Sequence, residues 1–210
     1  MPEIAVRTTF RHGNLRKALL DAAVEMARTG GPQAIVLREA ARQAGVAPNA
    51  AYRHFAGHGD LLRAVRTVAL DKVALEMHKE LAKVRKKSGM QEFARASVRA
   101  IGTAYLRFAR EEPGFFRTAF CHIVATENDD FGQDETASGL HPFTLLGLAL
   151  DRMVDAELLD PERRPGAEFL AWSAVHGLAM LAMDGPLRGV GKKDMLKLEK
   201  RVLAMVEDGI

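Results

Sequence analysis

Seven histidines, one cysteine and 27 Asp/Glu give this 210-residue chain the side chains that catalysis or metal binding would need. Their spacing does not organise them. None stands in a His-Glu-x-x-His, Gly-x-Ser-x-Gly, P-loop or dinucleotide pattern. Cys121 and His122 are neighbours, and adjacent helical residues diverge by about 100°, a poor geometry for a nucleophile and its base. A metal or haem sensor on Cys121, His122 or His141 has only proximity behind it, so neither a metal nor a cofactor is assigned. A single cysteine also rules out an internal disulfide and a multi-cysteine zinc site. A different chemistry gathers near residue 50. In a DNA major groove arginine can pair bidentately with guanine, and asparagine with adenine. Asn49 and Arg53 stand in one short stretch with Pro48 and Tyr52, and His54 and His58 follow.

A pair of short helices would position these groups. The first runs from Leu37 to about Ala44 and is stopped by Gly45. The second opens at Pro48, whose missing N–H costs nothing in a first turn, and Gly57 and Gly59 end it. Leu37, Ala40 and Ala41 face inward on the first helix; Val46, Ala51 and Phe55 supply the inner side of the second. Pro48, Asn49, Tyr52 and Arg53 then point outward at the end that would enter a major groove. A longer helix comes before, capped by Asn14, carrying Leu15, Leu19, Ala22, Ala23 and Met26, and ending at Gly30 with Pro32 beyond. Another follows from about Asp60 to Lys83. Arg38 and Arg42 are candidates for phosphate contacts, and Arg7, Arg11 and His12 give residues 1–12 either a flexible basic arm on DNA or a plain disordered tail.

Ala40-Ala41, Ala44-Gly45-Val46, Tyr52-Arg53-His54-Phe55 and Leu61 occur at a spacing that resembles the DNA-binding domain of the TetR family of bacterial regulators. The likeness spans about Arg11 to Leu70. Three positions differ from the family pattern: Val36 replaces a capping Ser or Thr, Ala47 replaces Ser, and His58 replaces Lys. The resemblance implies a helix-turn-helix at residues 36–55 inside a DNA-binding domain at 13–73. It implies that Tyr52, His54 and His58 meet phosphates, and that Pro48, Asn49 and Arg53 approach base edges, with Ala47 at the start of the recognition helix.

The rest, residues 74–210, also reads as helix, so the expected class is all-α with a larger C-terminal domain. Helices are predicted near 91–111, 113–124, 140–158, 165–183 and 193–207, with an acidic mobile loop at 125–139. The segments 140–159 and 165–183 are apolar nearly all round, which asks for burial on both sides and hence self-association. Met195, Leu198, Val202 and Met205 make one stripe on the last helix, beside Leu196 and Leu203. The family resemblance implies a homodimer through the last two long helices. Trp172…His176-Gly177, with Glu112-Pro113-Gly114-Phe115-Phe116, also resembles the Trp-His-Gly subgroup of that family. It implies a pocket for an unidentified small-molecule effector, with Tyr105, Phe116, Phe120, His122, Met153, Trp172 and His176 as candidate lining.

Charge is divided unevenly. Residues 1–89 hold 16 Lys/Arg against 8 Asp/Glu, and residues 90–210 hold 14 against 19, within a net charge of +3. A basic N-terminal part fits a polyanion partner. No apolar run approaches the ~20 residues that span a bilayer, and the first residues lack the apolar core of a secretory signal, so the expected compartment is the cytoplasm. The expectation is a ligand-responsive regulator: a double-stranded palindromic operator held by a homodimer and released when an effector moves the helix from Asp60. A helical adaptor that binds no DNA would leave Tyr52-Arg53-His54-Phe55 unexplained.

Overall fold

The computed structural model describes residues 12–86, 89–121 and 136–210, with side chains from Leu15 onward. Among these residues the chain is helical, with no strand. The basic arm at 1–11, His122 and most of the acidic loop lie outside the described residues. Helix α1 spans His12–Gly30, α2 Leu37–Gln43, α3 Pro48–Ala51 and α4 His58–Leu81. Then come α5 at Met90–Glu111, α6 at Pro113–Ala119, α7 at Pro142–Asp155, α8 at Ala167–Met183 and α9 at Lys192–Gly209. Asn14 therefore lies inside the first turn of α1 and is not its cap, and His12 belongs to the helix, not to the arm.

Helix α1 buries Leu19, Ala23, Met26 and Ala27, residues three to four apart on the face that meets α2, α4 and α6. Helix α4 buries Leu61, Val65, Ala69, Val73 and Met77 in the same rhythm and runs unbroken from the motif into the second half of the chain. Its partners are α1, α5, α6 and α7. Helix α5 is the central post, touching α4, α6, α7, α8 and α9. Small residues make that crowding possible. Gly102 lies against Leu203 and Val175, and Ala94, Ala104 and Ala109 are buried. The buried Ser97 hydroxyl donates to the Phe93 carbonyl at 2.7 Å and accepts from Arg152 at 2.9 Å, so it carries no unmet polar group into the core.

Helix α6 ends at Ala119, earlier than the apolar pattern to Val124 suggests. The stripe on α9 is also different from the predicted one. Met195, Leu203 and Val206 are buried, whereas Met205 is 58% exposed and Leu196 faces out. The face is completed by Glu199 and Glu207, which an apolar pattern passes over. Arg110 binds Glu199, and Arg99 grips Glu207 through two bonds of 2.8 and 2.6 Å, so both carboxylates enter the packed side already paired. On α8 the inner face is Ala167, Ala171, Val175, Leu178 and Ala179, and Phe169, Leu170, Met180 and Leu181 are exposed. Among the described residues no helix is long and apolar enough to cross a membrane.

Candidate nucleic-acid interface and effector chamber

The turn between α2 and α3 is set by Gly45, whose φ of +69° lies in the left-handed region that a side chain makes costly. The Gly45 N–H donates to the Arg42 carbonyl and the Val46 N–H to the Ala41 carbonyl, the paired bonds that close a helix C-terminus. Ala40, Ala41 and Ala51 are fully buried where α2 meets α3, and Phe55 is fully buried behind them. This scaffold leaves Arg38, Ala47, Pro48, Asn49, Arg53 and His58 exposed and Tyr52 46% exposed, with His54 half-buried. Both cap positions that depart from the family pattern lack a side-chain cap, Val36 before α2 and Ala47 before α3. Arg42 is exposed too, but Glu39 holds it through bonds of 2.8 and 2.5 Å, and Gln43 adds a third contact to that carboxylate. These donors hold the Glu39 carboxyl down to about 2. Arg42 is thus already engaged by a carboxylate of its own helix.

Five of the seven candidate effector residues come together between α5, α6 and α8. Tyr105 is their hub. The Trp172 indole N–H donates to its hydroxyl oxygen at 2.8 Å, and the hydroxyl lies 2.8 Å from His176 Nδ1. Indole nitrogen can only donate, so the tyrosine proton points to His176, whose Nδ1 accepts in the neutral ring. Burial favours the same state, pushing the histidine down and the tyrosine up. Phe116 lies 5.1 Å from Tyr105 and 4.8 Å from Phe120, and Phe120 is 5.9 Å from Trp172. Phe120, Trp172 and His176 are half-buried, so the cluster is open on one side. Met153 is buried on α7 as core, and His122 is outside the described residues. His141 has a different job, since its Nδ1 accepts from the Phe143 N–H and caps α7. Among the described residues no cluster of His, Cys, Asp or Glu could hold a metal ion. Tyr105→Phe should cost about 1–3 kcal/mol, because it strands the indole N–H and the imidazole nitrogen together. Urea unfolding measures this, and an unchanged midpoint would mean that water replaces the hydroxyl.

Helix α6 joins the ring cluster to the N-terminal helices. Phe116 belongs to the cluster, while its neighbour Phe115 lies beneath the Arg28 guanidinium of α1 at 4.9 Å. Arg28 also binds Glu112 at 2.8 Å. A Cβ on Gly114 would fall 2.6 Å from the Ala27 carbonyl oxygen, so the two helices meet backbone to backbone. The sequence reading missed this seam. In the sequence only Pro113-Gly114 marks the place, at the start of α6.

A family model described as Bacterial regulatory proteins, tetR family, matches residues 19–65, and one described as Tetracyclin repressor-like, C-terminal domain, matches residues 98–206. The chain belongs to the TetR family of transcription regulators. Solved structures share the TetR-family fold across nearly the whole chain. A protein of unknown function from Rhodococcus sp. RHA1 aligns with a TM-score of 0.75 at 22% identity, over 97% of this chain and 99% of its own. A TetR family transcription regulator from Marinobacter aquaeolei VT8 aligns at 0.61 and 19% identity, over 91% and 95%. The regulator FadR from Bacillus subtilis, in complex with stearoyl-CoA, aligns at 0.65 and 17% identity, over 92% and 98%. No curated protein matches the sequence. This TetR-family chain therefore carries its DNA-binding helices on a frame shared with regulators of quite different sequence.

Proposed function

We propose that this protein is a homodimeric repressor that holds a palindromic operator and releases it when a small molecule enters the ring cluster of its C-terminal domain. The observation that carries this reading is the joint placement of Pro48, Asn49, Tyr52 and Arg53 on an exposed helix start and of the ring cluster against α6. Arg53 and Asn49 read base edges; Tyr52, His54, His58 and Arg38 fix the register on phosphates, and Arg42 joins them once freed from Glu39. The DNA-binding domain is assigned to residues 13–73 and the effector and dimer domain to 74–210, with the basic residues that precede α1 on the DNA backbone. Supporting the dimer, Phe169, Leu170, Met180 and Leu181 on α8 and Leu196 and Met205 on α9 are exposed apolar side chains on adjoining helices. Two copies related by a twofold axis would set their recognition helices about 34–36 Å apart, one DNA turn. The sequence signature Trp172…His176-Gly177, with Glu112-Pro113-Gly114-Phe115-Phe116, favours placing the chain in the Trp-His-Gly subgroup. Release by a small molecule is supported by one neighbour of this fold having been solved with an acyl-CoA.

Fluorescent DNA from the protein's own upstream region, tested against a scrambled duplex at two salt concentrations, decides the matter. Specific binding should weaken as salt rises, and Arg53→Ala should lose about 1–3 kcal/mol of discrimination while remaining folded. Equal affinity for both duplexes would reduce the N-terminal half to a basic surface. Sedimentation should give a dimer, which Leu170→Glu with Leu181→Glu would split.

A further inference from the structure

Helix α2 carries two arginines one turn apart on its outer face, Arg38 and Arg42, and they are held differently. Arg38 is exposed and enters no ion pair among the described residues. Arg42 is exposed as well, but it is clasped. Its Nε donates to one oxygen of Glu39 at 2.8 Å and its Nη2 to the other at 2.5 Å. The Gln43 amide adds a bond of 3.2 Å to the same carboxylate, so Glu39 is spent on the turn that follows it. The start of α2 explains why Glu39 is available. It is the third residue of the helix, where a glutamate commonly turns back to the backbone N–H of a Ser or Thr cap. Val36 stands at that cap and has no hydroxyl to share in the exchange, so the carboxylate reaches forward to Arg42.

An exposed ion pair adds little to stability, so the clasp matters for what it withholds. Closed, it leaves the outer face of α2 one free guanidinium; open, it would leave two. We propose that Glu39 is a positioning residue that sets the affinity of this protein for DNA by keeping Arg42 off the phosphate backbone. This role rests on DNA binding as proposed above, and adds to it a control placed outside the recognition helix. A guanidinium meets a carboxylate and a phosphate with the same two parallel donors, so both compete for one fork. A phosphate contact carries no sequence information, and the clasp therefore holds down binding to every duplex equally. The basic N-terminal half is thus kept from being retained on the large excess of DNA that lacks its operator.

The test is a double-mutant cycle on the full-length protein, with Glu39→Gln, Arg42→Gln and the two together, against the upstream and scrambled duplexes over a range of salt. Both side chains lie at the surface, so the fold should tolerate either change. Glu39→Gln should bind both duplexes about threefold to tenfold tighter, with a salt slope steeper by about one, the mark of one more phosphate contact. Arg42→Gln should change binding by less than about twofold, and adding Glu39→Gln to it should gain no more than that. Without DNA, the Arg42 Nε–H should exchange with water more slowly in the natural chain than in Glu39→Gln, as read by NMR. Unchanged affinity in Glu39→Gln would overturn the assignment. So would an equal gain in both backgrounds, since plain repulsion of phosphate by Glu39 needs no Arg42. A loss of about tenfold in Arg42→Gln alone would overturn it too, because Arg42 would already lie on the backbone. Equal Nε–H exchange in the two proteins would show that no clasp exists. A natural chain that bound no duplex, with its Arg42 Nε–H still slow, would instead sink DNA binding itself and the role of Glu39 with it.

Discussion

Gly114→Ala is expected to destabilise the protein by about 1–3 kcal/mol or more, although it adds a single methyl group. That methyl would lie 2.6 Å from the Ala27 carbonyl oxygen and closer still to that of Arg28. Both oxygens belong to the last turn of α1, and the Ala27 carbonyl already accepts from the Gly31 N–H at 2.8 Å. A backbone turn fixed in this way cannot step aside as a side-chain tip can. Helix α6 must withdraw instead, straining the Arg28–Glu112 pair and the seat of Phe115 under Arg28. Gly102→Ala is the control. Its methyl would be as crowded, but by the Cδ2 tip of Leu203, which can change rotamer, so a smaller loss is expected. Denaturant midpoints of the two variants settle it. Equal losses would mean that the α1–α6 seam is no stiffer than ordinary core. If Gly114→Ala still folds, the proposed operator affinity should change with it, because this contact sets how α1 sits on the C-terminal helices.

The recognition motif was legible because short-range rules govern it. A left-handed glycine, alanines at a close helix crossing and a proline in a first turn are all local requirements, and the residues left over are the exposed ones. The C-terminal half was legible only as helices with apolar faces. The stripe on α9 was misread because Glu199 and Glu207 are buried by virtue of arginines roughly 90 and 108 positions away, pairings that no helical period reveals. The ring cluster was anticipated as a set of residue types, yet its hydrogen-bond order, indole to phenol to imidazole, depends on how α5 meets α8. Gly114 was hidden for a similar reason. A glycine after proline at a helix start looks like punctuation, and only the path of α1 shows that it is there for closeness.

Phe55→Ala should be the most damaging single change in the N-terminal helices, at about 3–5 kcal/mol. The small core it belongs to is built largely of alanines, at 23, 40, 41 and 51, with Leu19, Ile35, Leu61 and Val65 around them. Phe55 is the largest fully buried side chain there, and the Arg16 guanidinium covers its ring at 4.9 Å. Alanine neighbours have no longer rotamer with which to fill the void, so the cavity should persist and not collapse. Whole domains are stable by only about 5–15 kcal/mol, so the loss should unfold the DNA-binding helices near growth temperature. Phe55→Leu, which keeps most of the volume, should lose much less. Tyr52→Ala, three residues earlier but 46% exposed, should leave stability within about 0.5 kcal/mol. Limited proteolysis of the first 60 residues, run with thermal melts, separates the cases. Phe55→Ala should be cut rapidly there and lose DNA binding by unfolding, while Tyr52→Ala should resist cleavage and lose only its proposed phosphate contact. A Phe55→Ala protein that melts like its parent would mean that the motif is held by α4 alone, and that α1 is not the wall against which the recognition helix is set.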